Sequence, residues 1–456
     1  MAPIEFCPRI TLLLLLMLLS TSAGAQTLVQ EWVRVYDSGQ ADQAMDLEVA
    51  PNGMVYVLDS RPRYDFDTAR VLAYGADGVQ LWVGEMDSLW ANDLAVTTSS
   101  GAVIAGGRSD GSTTKTAIVQ FEADGDTLWS WVHGWATWDE AMAVAVDGSD
   151  HIFAAIDCDN CTPTNWATQI LHLDPLGHMM CREAIDAANN LRPDQIVASM
   201  DGIYVAGSYD YDPPTGPFIA RTDQGCTTDW LYTFFSGAHG TARALVKGDW
   251  LIYSAGYAEF NNGRDVLATR QFLFDGELHW QGGGGLFDLS GGHDEAMALA
   301  VPSAFEVYVT GYGTTSSGDR DVLTVKNPGW DDSWYHTYDG PGTAGDDVGV
   351  DIEMLGTSYV ATLATVDAGS RGQDIVVLLY DLAGTYLGQV HYSGPGPGTP
   401  DVAVAMEPDG QGGLYVAGTT GDDIIVIKYR LATTSADWVA GSVPSPVENE
   451  NGVTSG

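Results

Sequence analysis

A short stretch of sequence recurs along the chain: residues 76–82 read ADGVQLW and residues 123–129 read ADGDTLW. Between such turns lie short runs with an aromatic or β-branched centre: VYVLD (55–59), VIAGG (103–107), IFAAI (152–156), IYVAG (203–207), IYSAG (252–256), VYVTG (307–311), YVATL (359–363) and LYVAG (414–418). Anchored on Tyr56, Val103, Phe153, Tyr204, Tyr253, Tyr308, Tyr359 and Tyr415, the steps are 47, 50, 51, 49, 55, 51 and 56 residues. Eight units of this length are in the range of four-stranded propeller blades.

Each unit divides into four predicted strands separated by turn signals. The first is small and apolar, as in AMAVAV (141–146), which suits a crowded innermost position. The second is the anchor run, the third is apolar or alternating, and the fourth often carries a tryptophan: Trp82, Trp129, Trp230, Trp280 and Trp334. No long segment has a 3.6-residue apolar period, so the chain is predicted to be all-β. The ADG turn joins strands three and four, and its glycine supplies a positive φ.

The two ends of the repeat region complement each other. Residues 28–36 (LVQEWVRVY) read as a fourth strand with no preceding three, and residues 401–430 supply three strands without a fourth. Joining them predicts an eight-bladed β-propeller over residues 26–430, closed so that no sheet edge is left open. Residues 431–456 form a polar tail that is predicted to be disordered or a linker.

The N-terminal 25 residues have the order of a secretory signal peptide. Arg9 precedes the apolar run 10–19, and small residues at 23–25 offer a cleavage site before Gln26. The run is too short to span a bilayer, and no later stretch is apolar for long enough. We therefore expect an exported protein, secreted or at the cell surface of a bacterium, without membrane insertion.

The charge of the chain restricts its partners. There are 61 acidic and 19 basic residues, a formal net charge of −42. Such a chain repels phosphate backbones, so we expect no nucleic-acid partner. Cations, chiefly a weakly bound calcium ion, or basic protein surfaces remain as charged partners, and a saline habitat explains the acidity equally well. We expect no other cofactor, and a monomer.

Four cysteines remain after the predicted cleavage. Cys158 and Cys161 are close enough in sequence to form a disulfide in an oxidising compartment, whereas the pairing of Cys181 and Cys226 is left open. A redox CxxC motif would need a thioredoxin-like setting with a helix, and a zinc site would need a second ligand pair. The sequence supplies neither.

The repeat resembles a bacterial β-propeller repeat family whose units run Asp-x-Ala, Tyr-Val-x-Gly, and then Asp-x-x-Gly-x-x-x-Trp. The segments DEAMAVAVDGSDHIF (139–153), DEAMALAV (294–301), EVYVTGY (306–312), DVLTVKN (321–327) and VAMEPDGQGGLYVAGTT (404–420) carry the resemblance. It spans nearly the whole mature chain, although units four and five are degenerate. The resemblance implies a propeller fold and a secreted or cell-surface location, and it implies no particular reaction.

Two other propeller families share the tryptophan or aspartate turn. Quinoprotein dehydrogenases are also eight-bladed, and membership in that family would imply two adjacent cysteines at the cofactor. This chain has no adjacent pair of cysteines. Sialidases carry a turn similar to ADGDTLW, but they imply a clamp of three arginines. The scattered arginines of this chain give no support for one.

Long loops are predicted on one face, where strand four joins the next strand one and strand two joins strand three. Loops on a rigid scaffold often bind ligands. Five aromatic residues of these loops offer flat surfaces for a sugar or a protein: Trp90, Trp135, Trp138, Tyr209 and Tyr211. The alternative is that these rings pack blade against blade.

An aspartate recurs just before or at the start of strand one: Asp42, Asp139, Asp294, Asp347 and Asp401. A ring of such carboxylates around the channel mouth would favour a bound cation and raise some pKa values. The alternative is that each aspartate caps a turn by accepting backbone N–H groups.

The sequence contains no catalytic constellation that separates from the repeat. His293-Asp294-Glu295 matches Trp138-Asp139-Glu140 in another unit, so the Asp-Glu pair belongs to the repeat. No HExxH, no Ser-His-Asp order and no phosphate loop is present. The prediction is therefore a non-enzymatic binding or scaffold protein that presents one loop face to a glycan or protein. The alternative is an extracellular hydrolase or lyase acting on polysaccharide.

Overall fold

The computed structural model describes residues 26–433, except 62–67, 135, 160–165, 187–189, 211–215, 235–238, 261–262, 279–283, 290–291, 316–317, 343–344, 395 and 397. In this part of the chain nearly all regular structure is β-strand, with a single 3-10 turn at Gly369–Arg371. No helix in these residues is long and apolar enough to cross a membrane. The predicted signal peptide, the C-terminal tail from residue 434 and Trp280 lie outside the described residues.

The strands fall into sets of four that repeat the predicted order. First strands are β2 (Ala44–Val49), β6 (Leu89–Val96), β10 (Trp138–Val146), β14 (Asn190–Ser199), β18 (His239–Lys247), β22 (Glu295–Ser303), β26 (Val348–Leu355) and β30 (Asp401–Pro408). Second strands are β3 (Val55–Asp59), β7 (Ala102–Ser109), β11 (Ile152–Asp159), β15 (Gly202–Asp210), β19 (Leu251–Phe260), β23 (Glu306–Thr314), β27 (Tyr359–Asp367) and β31 (Gly413–Thr420).

Third strands are β4 (Ala69–Tyr74), β8 (Thr114–Phe121), β12 (Trp166–Leu173), β16 (Gly216–Thr222), β20 (Gly263–Phe272), β24 (Arg320–Lys326), β28 (Gln373–Asp381) and β32 (Asp423–Thr433). Fourth strands are β5 (Gln80–Met86), β9 (Thr127–His133), β13 (Met179–Ala184), β17 (Thr228–Thr233), β21 (Gly284–Phe287), β25 (Trp334–Tyr338), β29 (Tyr386–Tyr392) and, from the N-terminus, β1 (Gln26–Tyr36). We call each group of four consecutive partners a set.

Strands within a set pair antiparallel in sequence order, giving six four-stranded sheets and one eight-stranded sheet. The eight-stranded sheet consists of β6–β9 and β10–β13, joined by a single parallel bridge between Trp138 and Thr114. The N-terminal strand β1 pairs with β32 from Gln26↔Thr433 to Tyr36↔Ile424. Each first strand contacts the first strand of the next set, and β2 contacts β30.

Every first strand carries a register shift after its first to fourth paired residue, where one extra residue is inserted as a β-bulge. The residue after the bulge carries a side-chain acceptor in four sets. Asp93 accepts the Val144 N–H at 2.6 Å, and Asp351 accepts the Met406 N–H at 2.8 Å. Asp46 and Gln195 accept the equivalent N–H groups of Leu94 and Leu245. These bonds tie the first strand of one set to that of the next.

The recurring turn and tryptophan interlock neighbouring sets. Trp82 of β5 donates its Nε1–H to the carbonyl of Ala123 at 2.9 Å, in the turn of the next set. Gly125 in that turn has φ +94°, and a Cβ there would lie 2.8 Å from the Trp82 ring. Four further pairs repeat this contact: Trp32 with Gly78, Trp129 with Gly177, Trp230 with Gly276 and Trp334 with Gly384. The repeated motif therefore holds adjacent sets together.

A disulfide connects Cys181 of β13 with Cys226, which lies just before β17 in the next set. This resolves the pairing that the sequence left open. Cys158 is buried and is itself disulfide-bonded, and its predicted partner Cys161 lies outside the described residues. The predicted pair Cys158–Cys161 therefore stays a prediction.

Candidate functional site

Of the five aromatic residues predicted to bind a ligand, the structure describes Trp90, Trp138 and Tyr209. Trp90 is 8% exposed and donates its Nε1–H to the buried Glu140 at 2.8 Å, and its ring centroid lies 6.5 Å from that of Trp138. Tyr209 is partly buried against the β14–β17 core. These positions correspond to the alternative interpretation, packing of blade against blade. Trp135 and Tyr211 lie outside the described residues, and ligand binding by the five aromatic residues stays a prediction.

The five recurring aspartates are at most 2% exposed, and each accepts a backbone N–H from the loop before its strand. The donors to Asp42, Asp139, Asp294, Asp347 and Asp401 are Ser38, Ala136, Leu289, Gly340 and Gly394. This is the turn-capping geometry. Asp42 and Asp347 each also lie with two further carboxylates whose oxygen atoms are within 4.8 Å of one another. Cation binding by the five stays a prediction.

Glu295, beside His293, is part of the packing between sets. Its carboxylate accepts the hydroxyl of Tyr312 at 2.8 Å and an N–H of Arg264 at 3.0 Å, and it pairs with Arg243. A 2%-exposed carboxylate with three partners is a structural ion pair between β18 and β22.

A cleft of about 430 Å³ lies between the β22–β25 and β26–β29 sets. It is lined by Tyr338, Asp339, Pro341, Arg371, Gln389 and His391. Pro341 belongs to a loop from strand four to strand one, and Arg371 ends the 3-10 turn between strands two and three. The cleft is therefore on the face where the sequence predicted the binding loops, but at other residues.

Hydrogen bonds fix the polar groups of the cleft. The Tyr386 hydroxyl donates to Gln389 Oε1 at 2.6 Å, and Gln389 Nε2 donates to the Tyr338 hydroxyl at 3.0 Å. His391 Nε2 lies 3.4 Å from the same hydroxyl and 2.5 Å from Gln389 Nε2. The four side chains come from two fourth strands, β25 and β29, which the packing of the sets brings together.

The cleft favours the uncharged forms of Tyr338 and His391. Burial raises the pKa of Tyr338, and the negative charges of Asp347, Asp339 and Asp374 raise it further. The hydrogen bond from Gln389 lowers it, but the raising effects are larger. Burial lowers the pKa of His391. The cleft thus presents a phenol, an imidazole and an amide next to the carboxylate of Asp339 and the guanidinium of Arg371, which lies 3.1 Å from Asp374.

Sequence reasoning missed the cleft because its distinctive residues break the repeat. Tyr338 pairs with Val322 and Tyr392 pairs with Ile375, so the two tyrosines occupy equivalent positions. His391 then corresponds to Thr337. A signal was present: β29 carries a glutamine and a histidine at the positions that Tyr335 and Thr337 occupy on β25.

The first strands gather a second group that the sequence reasoning missed. Six carboxylates have raised pKa values: Asp46, Glu48, Asp93, Asp351, Glu353 and Glu407. The charges of other members of this group contribute to the rise at Asp46, Glu48, Glu353 and Glu407. Burial is the main cause, and it brings the pKa values of Asp93 and Asp351 to about 6. These side chains come from β2, β6, β26 and β30, so the four first strands converge on one acidic lining.

No protein-family model matches the chain. No curated protein matches it either. Among solved structures, the Dos1 propeller has a TM-score of 0.53 at 10% identity, covering 88% of this chain and 95% of that chain. Sqt1 from Chaetomium thermophilum has a TM-score of 0.47 at 14% identity, covering 89% and 100%. The polysaccharide lyase Uly1 has a TM-score of 0.43 at 9% identity, covering 87% and 91%.

The strand sets and the likeness to the Dos1 propeller together show that the chain has a β-propeller fold. At this level of identity the likeness concerns the fold alone. A propeller scaffold hosts many unrelated functions, so the function must be argued from the side chains of the site.

Proposed function

We propose that the protein is a secreted, eight-bladed, closed β-propeller that binds a glycan in the cleft between Tyr338 and His391. Support for closure comes from the ladder between β1 and β32 and from the contacts of β2 with both β6 and β30. Support for eight blades comes from the first-strand bulge, which recurs once in each set. We attribute membership in the bacterial propeller repeat family to the motifs of the repeat.

Export is supported by the N-terminal sequence and by the cysteine chemistry. A disulfide between Cys181 and Cys226 persists in oxidising compartments. We infer a location outside the cytoplasm, secreted or on the cell surface.

The hydrogen-bonded group Tyr338–Gln389–His391 is the observation that carries the binding proposal. Sugars present many hydroxyl groups, each both donor and acceptor, and the cleft offers a phenol, an amide and an imidazole with the same dual capacity. Its volume is within the range of small-ligand sites, roughly 300–1,000 Å³. Tyr386, 45% exposed, adds an aromatic face at the edge of this group. A net charge of −42 disfavours anionic chains at long range, so we expect a neutral glycan.

The test is a glycan array with the full mature chain, followed by calorimetric titration of the best oligosaccharide. Truncation of Gln389 or His391 to alanine should weaken binding at least tenfold, since each removes hydrogen bonds worth ~1.5 kcal/mol or more. Val35→Ala is the matched control, because Val35 is the equivalent of His391 on β1 and is 53% exposed. Unchanged affinity in both cleft variants would refute the site.

A second candidate is a polysaccharide lyase or hydrolase, favoured by one observation. The Tyr338 hydroxyl and His391 Nε2 lie 3.4 Å apart, as an acid and a base that exchange a proton would. The wild type and Tyr338→Phe should be incubated with neutral and uronate-containing polysaccharides while new reducing ends are measured. Cleavage that Tyr338→Phe abolishes with binding retained would establish the enzyme, and no cleavage of any polymer would leave the binding role.

A further inference from the structure

Three aspartates meet at the boundary between the β22–β25 and β26–β29 sets. Asp321 lies on β24, Asp339 follows β25, and Asp347 lies just before β26. One carboxylate oxygen of each lies within 4.8 Å of those of the other two. We call these residues the Asp321 triad. Asp321 and Asp347 are 26 positions apart in sequence, and the packing of two sets brings the three residues together.

Asp321 has no partner for its charge. It is only 9% exposed, and in the part of the chain that the structure describes its carboxylate accepts no hydrogen bond and forms no ion pair. Burial raises the pKa of Asp321, as do the neighbouring charges of Asp339 and Asp319. Asp321 is nine-tenths buried as a residue and lies beside two other carboxylates, so its charge is costly unless a cation is bound.

At two other boundaries the chain itself supplies a cation to the aspartate equivalent to Asp347. Arg182 lies 3.2 Å from Asp139, and Arg70 lies 3.5 Å from Asp42.

The closest comparison is Asp374, which occupies on β28 the position that Asp321 occupies on β24. Arg371 lies 3.1 Å from it. Within the described residues, however, no lysine or arginine lies within 4.0 Å of any member of the Asp321 triad. Arg320, the neighbour of Asp321 in sequence, instead pairs with the exposed Asp346 at 3.6 Å.

We propose that the Asp321 triad binds one divalent cation, of the size and oxygen preference of calcium. Calcium takes oxygen ligands at roughly 2.3–2.6 Å, so oxygens on opposite sides of the ion are about 4.8 Å apart. Asp347 is held in place by the backbone N–H groups of Gly340 and Asp367, the latter at 2.6 Å. These bonds orient one ligand before the ion arrives.

The triad shares Asp339 with the neighbouring cleft, but calcium binding is measured without a glycan, so the two proposals can fail separately. The triad also differs from a ring of the five recurring aspartates. The related group Asp37, Asp42 and Asp423 already has Arg70 beside it, so the Asp321 triad is the tighter site.

The experiment is calorimetric titration of the metal-free mature protein with calcium chloride, paired with melting curves in chelator and in calcium at one ionic strength. Asp321→Asn removes one charge from the triad without changing its shape. Asp346→Asn is the matched control, because it removes the same charge from a side chain that is 61% exposed nearby. We expect saturable binding that Asp321→Asn weakens at least tenfold and that Asp346→Asn leaves within twofold.

The melting curves give a readout that does not depend on the variant's affinity. Asp321→Asn should melt at the same or a higher temperature than the wild type in chelator, because it relieves repulsion, and should lose the rise that calcium gives the wild type. Equal stabilisation of the wild type by sodium and calcium salts at the same ionic strength would overturn the proposal. So would tight calcium binding that Asp321→Asn leaves unchanged.

Discussion

Replacement of Asp351 by asparagine tests the acidic lining of the first strands. Burial raises the pKa of Asp351 from 3.8 to about 6, although its carboxylate accepts the N–H groups of Met406 and Ile352. A carboxyl group with a raised folded-state pKa stabilises the fold when protonated. That contribution is complete below the unfolded pKa and is lost as the pH rises through the folded pKa. Acidification from about pH 7.5 to about pH 5 should therefore stabilise the protein.

The magnitude follows from the two pKa values. At about pH 5 the folded state holds most of one proton on Asp351 and the unfolded state holds almost none, which is worth about 1.4 kcal/mol relative to about pH 7.5. Asp351→Asn should remove this amount from the pH dependence. The variant should lose a further part of the pH dependence, because the Asp351 charge also raises the pKa values of Glu48, Glu353 and Glu407.

The assay is urea unfolding followed by tryptophan fluorescence at the two pH values and one ionic strength, with Asp346→Asn as control. His172 has a pKa lowered by burial, so its protonation destabilises the fold over the same pH range. The difference between wild type and variant cancels this effect. An equal pH dependence in wild type and Asp351→Asn would refute the account of the lining, as would a larger dependence in the variant.

Two further predictions concern the scaffold. Deletion of residues 26–36 should expose the edge of β32 and cause aggregation or loss of the cooperative unfolding transition. A deletion variant that melts like the full chain would exclude closure by β1. Gly125→Ala should destabilise the protein by about 2 kcal/mol or more, since a Cβ meets the Trp82 ring at φ +94°. Gly111→Ala, at φ +89° with no atom within 4 Å, should cost only about 1 kcal/mol in the same unfolding assay, and equal costs would show that the contact with Trp82 is unimportant.

The repeat made much of the strand order predictable. The ADG turn, the anchor run and the tryptophan each recur with a period of about fifty residues, so the strands and the pairing of β1 with β32 follow from local pattern alone. The interlock of Gly125 with Trp82 explains why turn and tryptophan recur together, although the sequence shows them only as neighbours on one blade.

The site was less predictable because it depends on contacts between sets. His391 and Tyr338 are 53 residues apart and meet only through the packing of β25 against β29. Whether Trp90 is a binding surface or a core residue depends on Glu140, 50 residues away. The lack of a basic partner at Asp321 likewise appears only when the surrounding side chains are in place.

Hydrogen–deuterium exchange with the best glycan ligand tests the central claim most directly, since it locates the binding surface without any substitution. Peptides containing residues 338–341, 369–373 and 386–392 should exchange more slowly in the presence of ligand, and the equivalent peptides of β1 and β9 should be unchanged. Protection confined to the peptides that contain Trp90 and Trp138, with none at Tyr338 and His391, would contradict the proposed site.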